Sequence, residues 1–233
     1  MWFLRNIGIV VDTIFYAILS TFTQLLFKDP SAFYRQARDW SRILLWFGGV
    51  KVEVIGAEHL TPGERVVFVS NHASQMDIPI LLGWIPDNAR IMYKMELQRI
   101  PLFGWCMRHS PYIPVDRGDG RQAAEQLERT IDSMRTGASV IVFPEGTRSP
   151  DGTLQEFKRG GFLLAARASK RIVPVTIVGS HKILPPDSLR PCSGHVKLII
   201  DPPITLPDPP SRKDEVDAMA RVQEIIGARS RNQ

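Results

Sequence analysis

Val66-Val67-Phe68-Val69-Ser70-Asn71-His72-Ala73-Ser74-Gln75-Met76-Asp77 is the stretch on which the fold turns. Its first half is an apolar run of β-branched and aromatic residues, the composition of a strand buried on both faces. Its second half turns polar and runs to Asp77, where a helical pattern, Asp77–Trp84, begins. A strand passing through a short polar loop into a helix is the repeating unit of an α/β sheet.

Working outward, the same alternation covers the chain from Lys51 onward. Short β-branched runs stand at Val50–Ile55, Arg65–Ser70, Ala89–Lys94, Ser139–Phe143, Ile172–Val178 and His195–Ile200. Helical patterns lie between them at Gln98–Arg108, Gly120–Arg135 and Gly160–Ala168. The Pro-rich stretch Pro202–Pro210 reads as a linker to a last helix after Ser211, with Val216, Met219, Val222 and Ile226 on one face. This predicts an α/β fold with a largely parallel central sheet flanked by helices.

The first 49 residues have a different character. Thr13 to Phe27 carries no charge. At 100° per residue, Arg5, Asn6, Asp12, Thr13, Tyr16, Ser20, Thr23 and Gln24 fall in one sector, with Leu4, Ile7, Val11, Ile14, Ile18, Phe22 and Leu25 outside it. An amphipathic helix follows, rather than an apolar span. After Lys28-Asp29-Pro30-Ser31, a second helix, Ala32–Phe47, sets Arg35, Arg38, Asp39 and Arg42 against Phe33, Ala37, Trp40, Leu44 and Phe47. Basic residues opposite large aromatics are the pattern of an interfacial helix. The expected organisation is a membrane-associating helix pair at 1–49 and an α/β domain at 50–233.

Composition narrows the classes. With 233 residues, 44% hydrophobic and 23% charged, the chain is long enough to bury a core without crosslinks. Its two cysteines, Cys106 and Cys192, make no disulfide framework and belong to no Cys/His cluster, so no metal site is expected. A net charge of +5 suits nucleic acid and acidic lipid alike.

A histidine at the carboxyl end of a buried strand sits where open α/β sheets form their crevices. His72 and Asp77 would meet only if His72 lies on the loop and Asp77 in the first helical turn. There the carboxylate can hold one imidazole nitrogen and leave the other as a general base. A histidine satisfied within the core, beside an aspartate that starts a helix, fits the same residues. No GxSxG elbow is present, so a base here acts on a hydroxyl that the substrate brings. A second loop, Phe143-Pro144-Glu145-Gly146-Thr147-Arg148-Ser149, also follows a strand and can offer N–H groups and a guanidinium to phosphate. Val115-Asp116-Arg117 and Phe157-Lys158-Arg159 add further cations. Three basic loops near a His/Asp pair point to a phosphorylated substrate.

These blocks resemble those of the glycerolipid acyltransferases, and specifically the bacterial 1-acyl-sn-glycerol-3-phosphate acyltransferases. The family's NHxxxxD block is matched by Asn71 to Asp77 with Ser74 inside it, and its FPEGTRS block by Phe143 to Ser149 without a gap. An aspartate–arginine block is matched by Tyr112 to Arg117, and a Val-Pro-Val segment by Val173-Pro174-Val175. The stretch Lys94 to Trp105 is similar too. The resemblance implies acyl transfer from a thioester, acyl-CoA or acyl carrier protein, to the free hydroxyl of lysophosphatidate, with no cofactor. His72 would be the base and Asp77 its orienting partner. Arg148, Gly146 and Thr147, with Arg117 and Lys158, would hold the acceptor phosphate. Glu145 would belong to the same phosphate-binding group, bracing its loop and not acting as a second base, and Lys94, Asn71 and Ser74 would support the site or its oxyanion. Glycerol-3-phosphate or another lysolipid is the alternative acceptor, and a lipase or thioesterase the alternative chemistry. The implied partners are membrane lipid and the acyl donor, with no nucleic acid. The implied location is monotopic, on the cytoplasmic face of the bacterial inner membrane.

Overall fold

Strand β2 (Val67–Ser70) is central to the sheet, and all four of its residues are buried. The computed structural model describes residues 2–85, 88–115, 139–159, 162, 169, 171–188, 190–208 and 210–231. Among these, the other strands are β1 (Val50–Ile55), β3 (Ala89–Lys94), β4 (Ile113–Val115), β5 (Ser139–Val142), β6 (Arg171–Val178), β7 (Gly194–Ile200) and β8 (Ile204–Thr205). They run in the order β1-β7-β6-β2-β5-β3-β4, with β8 on β6. The pairs β2–β6, β2–β5, β3–β5, β3–β4 and β1–β7 are parallel, while β6 meets β7 and β8 antiparallel. The largely parallel sheet expected from the alternation is therefore present. Period-two alternation divides its side chains between two cores: Phe68 faces one, Val67 and Val69 the other.

Helices α1 (Trp2–Phe27), α2 (Pro30–Gly48), α3 (Asp77–Trp84), α4 (Phe103–His109), α5 (Ser180–Ile183) and α6 (Arg212–Arg231) accompany the sheet. Two expectations need correction. The helix read at Gln98–Arg108 is a 3₁₀ segment, Met95–Arg99, then a tight turn, then α4. Pro101 has no N–H and holds Ile100 extended, so one helix cannot run through. The stretch Pro202–Pro210 is more than a linker: Ile204 and Thr205 pair with Ile172 and Arg171, and Leu206 is buried. Gly120–Arg135 lies outside the described residues, as does most of Gly160–Ala168.

The helix pair has an unusual polarity. On α1 the polar sector faces the protein: Asp12 and Ser20 are buried, and Arg5, Asn6, Thr13, Tyr16, Thr23 and Gln24 half-buried. The opposite face exposes Leu4, Ile7, Val11, Ile14, Ile18, Phe22 and Leu25. Polar contacts join the two helices, with Trp40 Nε1 donating to Thr13 Oγ1 at 3.1 Å and Gln36 Nε2 to Thr23 Oγ1 at 3.0 Å. Pro30 opens α2 behind Asp29, which accepts the Ser31 N–H, and Gly49 closes it in the left-handed conformation. Helix α2 then packs on α3, and its Phe33, Tyr34, Leu44 and Leu45 join the sheet's larger core. Arg42 faces the protein as well as solvent, donating to the Gly83 carbonyl at 2.9 Å and lying over the Trp84 ring at 5.6 Å.

Candidate active site

Three strands, β6, β2 and β5, end side by side and in parallel, so their carboxyl-end loops form one rim. The loop after β2 carries His72, and Asp77 is the first residue of α3. That is the arrangement in which residues five apart can meet. His72 Nδ1 lies 2.8 Å from Asp77 Oδ2, whose side chain is fully buried. The same oxygen accepts the N–H groups of Ala73 at 2.7 Å and Ser74 at 2.8 Å. A carboxylate is an acceptor only, so Nδ1 carries the proton and Nε2 remains as the basic nitrogen. The imidazole stacks on the Phe143 ring at 4.1 Å between centroids and 19° between planes.

The loop is fastened on both sides. Asn71 clamps the backbone of Ile177 at the end of β6, donating to its carbonyl at 2.9 Å and accepting its N–H at 2.8 Å. Ser74 Oγ donates to the Leu184 carbonyl at 2.7 Å and accepts the Met76 N–H. These side chains hold the loop, and the one hydroxyl proton of Ser74 is committed to doing so. On the other side, the Ser149 N–H donates to the His72 carbonyl at 2.8 Å, which sets the Gly146-Thr147-Arg148 turn beside the histidine.

Gly146 takes φ +74°, a value that favours glycine, and the Lys158 ammonium lies over it, 3.1 Å from where a Cβ would stand. Lys158 is brought there by its own N–H, which donates to the Pro144 carbonyl at 2.8 Å. Thr147 is exposed and Arg148 half-buried. An anion at this turn would meet a guanidinium, an ammonium and backbone dipoles together.

Glu145 is differently placed. It is buried, with Oε1 accepting the His72 N–H at 2.7 Å and Oε2 the Gln155 N–H at 3.0 Å. It faces the loops, not the mouth of the site, so it is a brace and not a phosphate ligand. Burial pushes its carboxyl up to about 7, the two N–H donors oppose that rise, and the nearby Asp77 charge adds to it. Lys94 ends β3 on the same edge, but its ammonium is exposed and pairs with Glu96 at 3.2 Å, not with His72 or Asp77. Arg117 and Asp116 lie outside the described residues. The sequence reading missed Phe143 as the platform of His72, because only the β2–β5 pairing joins them.

A model of the Acyltransferase family matches residues 51–178, more than half of the chain. The chain belongs to the Acyltransferase family. The matched region holds His72, Asp77 and the whole Phe143–Ser149 turn. Of this chain, 170 residues (72%) are 37% identical to a chloroplastic 1-acyl-sn-glycerol-3-phosphate acyltransferase of Arabidopsis thaliana, covering 47% of that protein. Another 1-acyl-sn-glycerol-3-phosphate acyltransferase, from Pseudomonas aeruginosa, is 34% identical over 143 residues, 59% of this chain and 55% of that one. The chain spans about half the length of the curated relatives it matches. A crystal structure of the 1-acyl-sn-glycerophosphate acyltransferase PlsC from Thermotoga maritima superposes with a TM-score of 0.82 at 26% identity, covering 99% of this chain and 96% of that one.

Proposed function

We propose that this acyltransferase moves a fatty acyl group from an acyl thioester to the free sn-2 hydroxyl of 1-acyl-sn-glycerol-3-phosphate, forming phosphatidate. The observation that carries the reading is the His72–Asp77 pair at 2.8 Å, directly bonded through its backbone to a cationic turn suited to phosphate. The names of the relatives support the same acceptor.

In the reaction, Nε2 of His72 takes the proton of the acceptor hydroxyl as its oxygen attacks the thioester carbonyl. Asp77 stabilises the imidazolium that forms. The tetrahedral intermediate then collapses, the carbon–sulfur bond breaks, and the departing thiolate takes the proton back from His72. No acyl-enzyme forms. Arg148, Gly146 and Thr147, with Lys158 and Arg117, hold the phosphate. The donor is acyl-CoA or acyl carrier protein.

The lipidic substrates account for the polarity of α1. Transfer of each methylene into water costs about 0.8 kcal/mol, so an enzyme in solution would extract long chains slowly. Helix α1 is long and apolar enough to cross a membrane, yet its buried Asp12 and polar inner face suit a helix lying in one leaflet. The chain is monotopic in this reading, on the cytoplasmic face of the membrane.

The test is product analysis. Purified protein with lysophosphatidate and either donor should yield phosphatidate, and folded His72→Ala protein should lose roughly 10²–10⁴-fold in turnover. Free fatty acid as the main product would establish hydrolysis instead. Acylation of glycerol-3-phosphate in preference to lysophosphatidate would move the substrate.

A further inference from the structure

Between the 3₁₀ segment and α4 the backbone does something that no other described residue with an apolar side chain does. Leu102 takes φ 63° and ψ −59°. The Phe103 N–H donates to the Pro101 carbonyl at 2.7 Å, closing a strained three-residue γ-turn around it. Glycine is the residue such a position accepts without strain. Here the side chain is leucine, and 36% of it is exposed, beside Ile100 at 46% and Trp105 at 55%. In water this leucine is unfavourable twice, through its backbone and through its uncovered surface. A residue kept under those terms is better explained by an apolar medium outside the protein.

The surroundings fix the turn and connect it to α1. The Gly104 N–H donates to the Ile100 carbonyl at 2.7 Å, and a side chain on Gly104 would collide with the Gln98 backbone. Helix α4 packs against α1, where Ser20 hydrogen-bonds the Cys106 thiol. Ser20 is flanked on α1 by exposed Ile18, Leu19 and Phe22. Arg99 and Arg108 stand exposed on either side of the turn. Exposed apolar residues in one turn, a tryptophan among them and exposed cations on either side in the chain are the side-chain types that a bilayer surface with anionic headgroups takes.

We propose that Ile100, Leu102 and Trp105 form a wedge on the α/β domain that enters the same leaflet as α1. The bilayer contact then has two separate parts, which fixes the domain's tilt over the lipid. The proposal rests on the reading of α1 as a helix lying in the leaflet.

The experiment uses the full chain with Cys192→Ser and single labelling cysteines at Leu102→Cys, Trp105→Cys, Phe22→Cys and Glu224→Cys. Cys106 is buried, its thiol pushed up to about 12, and stays unreactive. Each protein carries an environment-sensitive fluorophore and meets vesicles of phosphatidylcholine and phosphatidylglycerol, with or without nitroxide acyl chains. Labels at 102 and 105 should shift to the blue and be quenched by nitroxide, as at 22, while 224 on the exposed face of α6 is unchanged. If 102 and 105 stay aqueous while 22 is quenched, the wedge is overturned and the reading of α1 stands. No quenching at 22 either overturns both. A blue shift that needs no lipid and grows with protein concentration overturns the wedge in favour of a second copy of the chain. Leu102→Gly, which the turn accepts freely, should leave vesicles about tenfold faster. An unchanged off-rate would count against the wedge without any label.

Discussion

The Oε1 oxygen of Glu145 accepts the backbone N–H of His72 at 2.7 Å. Glu145 belongs to the cationic turn, and His72 to the loop that carries the base. With the Ser149 N–H on the His72 carbonyl, the histidine is held through both of its backbone groups by one neighbouring segment. The cationic turn and the His72 loop are therefore one rigid unit, so under the proposed function an acceptor whose phosphate is anchored at the turn would find the imidazole at a fixed distance.

Replacing Glu145 with Gln tests that coupling. The amide retains one acceptor oxygen, but its NH₂ would face one of two N–H donors. An unsatisfied buried donor costs about 1–3 kcal/mol. Expressed through the position of His72, that amounts to roughly 10–100-fold in kcat. Acceptor KM should change little, since both carboxyl oxygens of Glu145 are taken up by the His72 and Gln155 N–H groups. A raised KM with normal kcat in steady-state kinetics would return Glu145 to the phosphate site.

Glu145 also gives a signature in stability. Its carboxyl titrates at about 7 in the folded protein against an ordinary value of 4.5. The folded state thus binds this proton more tightly than the unfolded chain. The contribution to stability is fully present below the unfolded value, is lost as pH rises through about 7, and is constant above that. Denaturant unfolding of wild type and Glu145→Gln across this range should show wild type losing stability with rising pH relative to the variant. Parallel curves would mean that the carboxyl is ionised throughout.

Much of this was legible in the residues. Strand and helix periodicities located β1, β3 and α3 by their ends, because each is bounded by Gly, Pro or a polar loop. The polar sector of α1 was readable from its spacing, since a helix converts sequence interval into angle directly. What was not legible depends on strands meeting. Asn71 reaches Ile177, and His72 reaches Phe143 and Glu145, across intervals that only the β6-β2-β5 order closes. The Leu102 turn was hidden for another reason: a leucine carries no local signal for positive φ.

Arg148 is the next position to test. Arg148→Ala should raise acceptor KM far more than donor KM, because a charge-assisted fork to the phosphate is lost. Lysine in its place restores charge without the two-point geometry, so rescue should be partial. Lys158→Ala should act in the same direction, its ammonium lying over Gly146. If acceptor KM stays unchanged in both variants, the phosphate binds elsewhere.

The last prediction separates the two N-terminal helices, which the packing treats unequally. Removal of residues 1–28 takes away α1, whose outer face is exposed and whose inner face gives the larger core Ala17 and Ile9 beside polar contacts to α2. The remaining chain should fold and bind vesicles poorly. Removal of residues 1–48 takes α2 as well. Phe33, Tyr34, Leu44 and Leu45 are buried in the larger core, and Phe33 meets the Tyr112 ring at 5.1 Å between centroids. Burial of each such side chain contributes about 1.5–3 kcal/mol, so losing four approaches the whole stability of roughly 5–15 kcal/mol that domains have. Helix α3 would also lose the cover of α2, including the Arg42 contacts with Gly83 and Trp84. Asp77, at the start of α3, would no longer be held at 2.8 Å from His72. The shorter truncation should melt cooperatively by circular dichroism and acylate a short-chain, water-soluble lysophosphatidate. The longer one should do neither. A longer truncation that melts cooperatively and retains turnover on that acceptor would show that α2 is a detachable anchor and not a wall of the core.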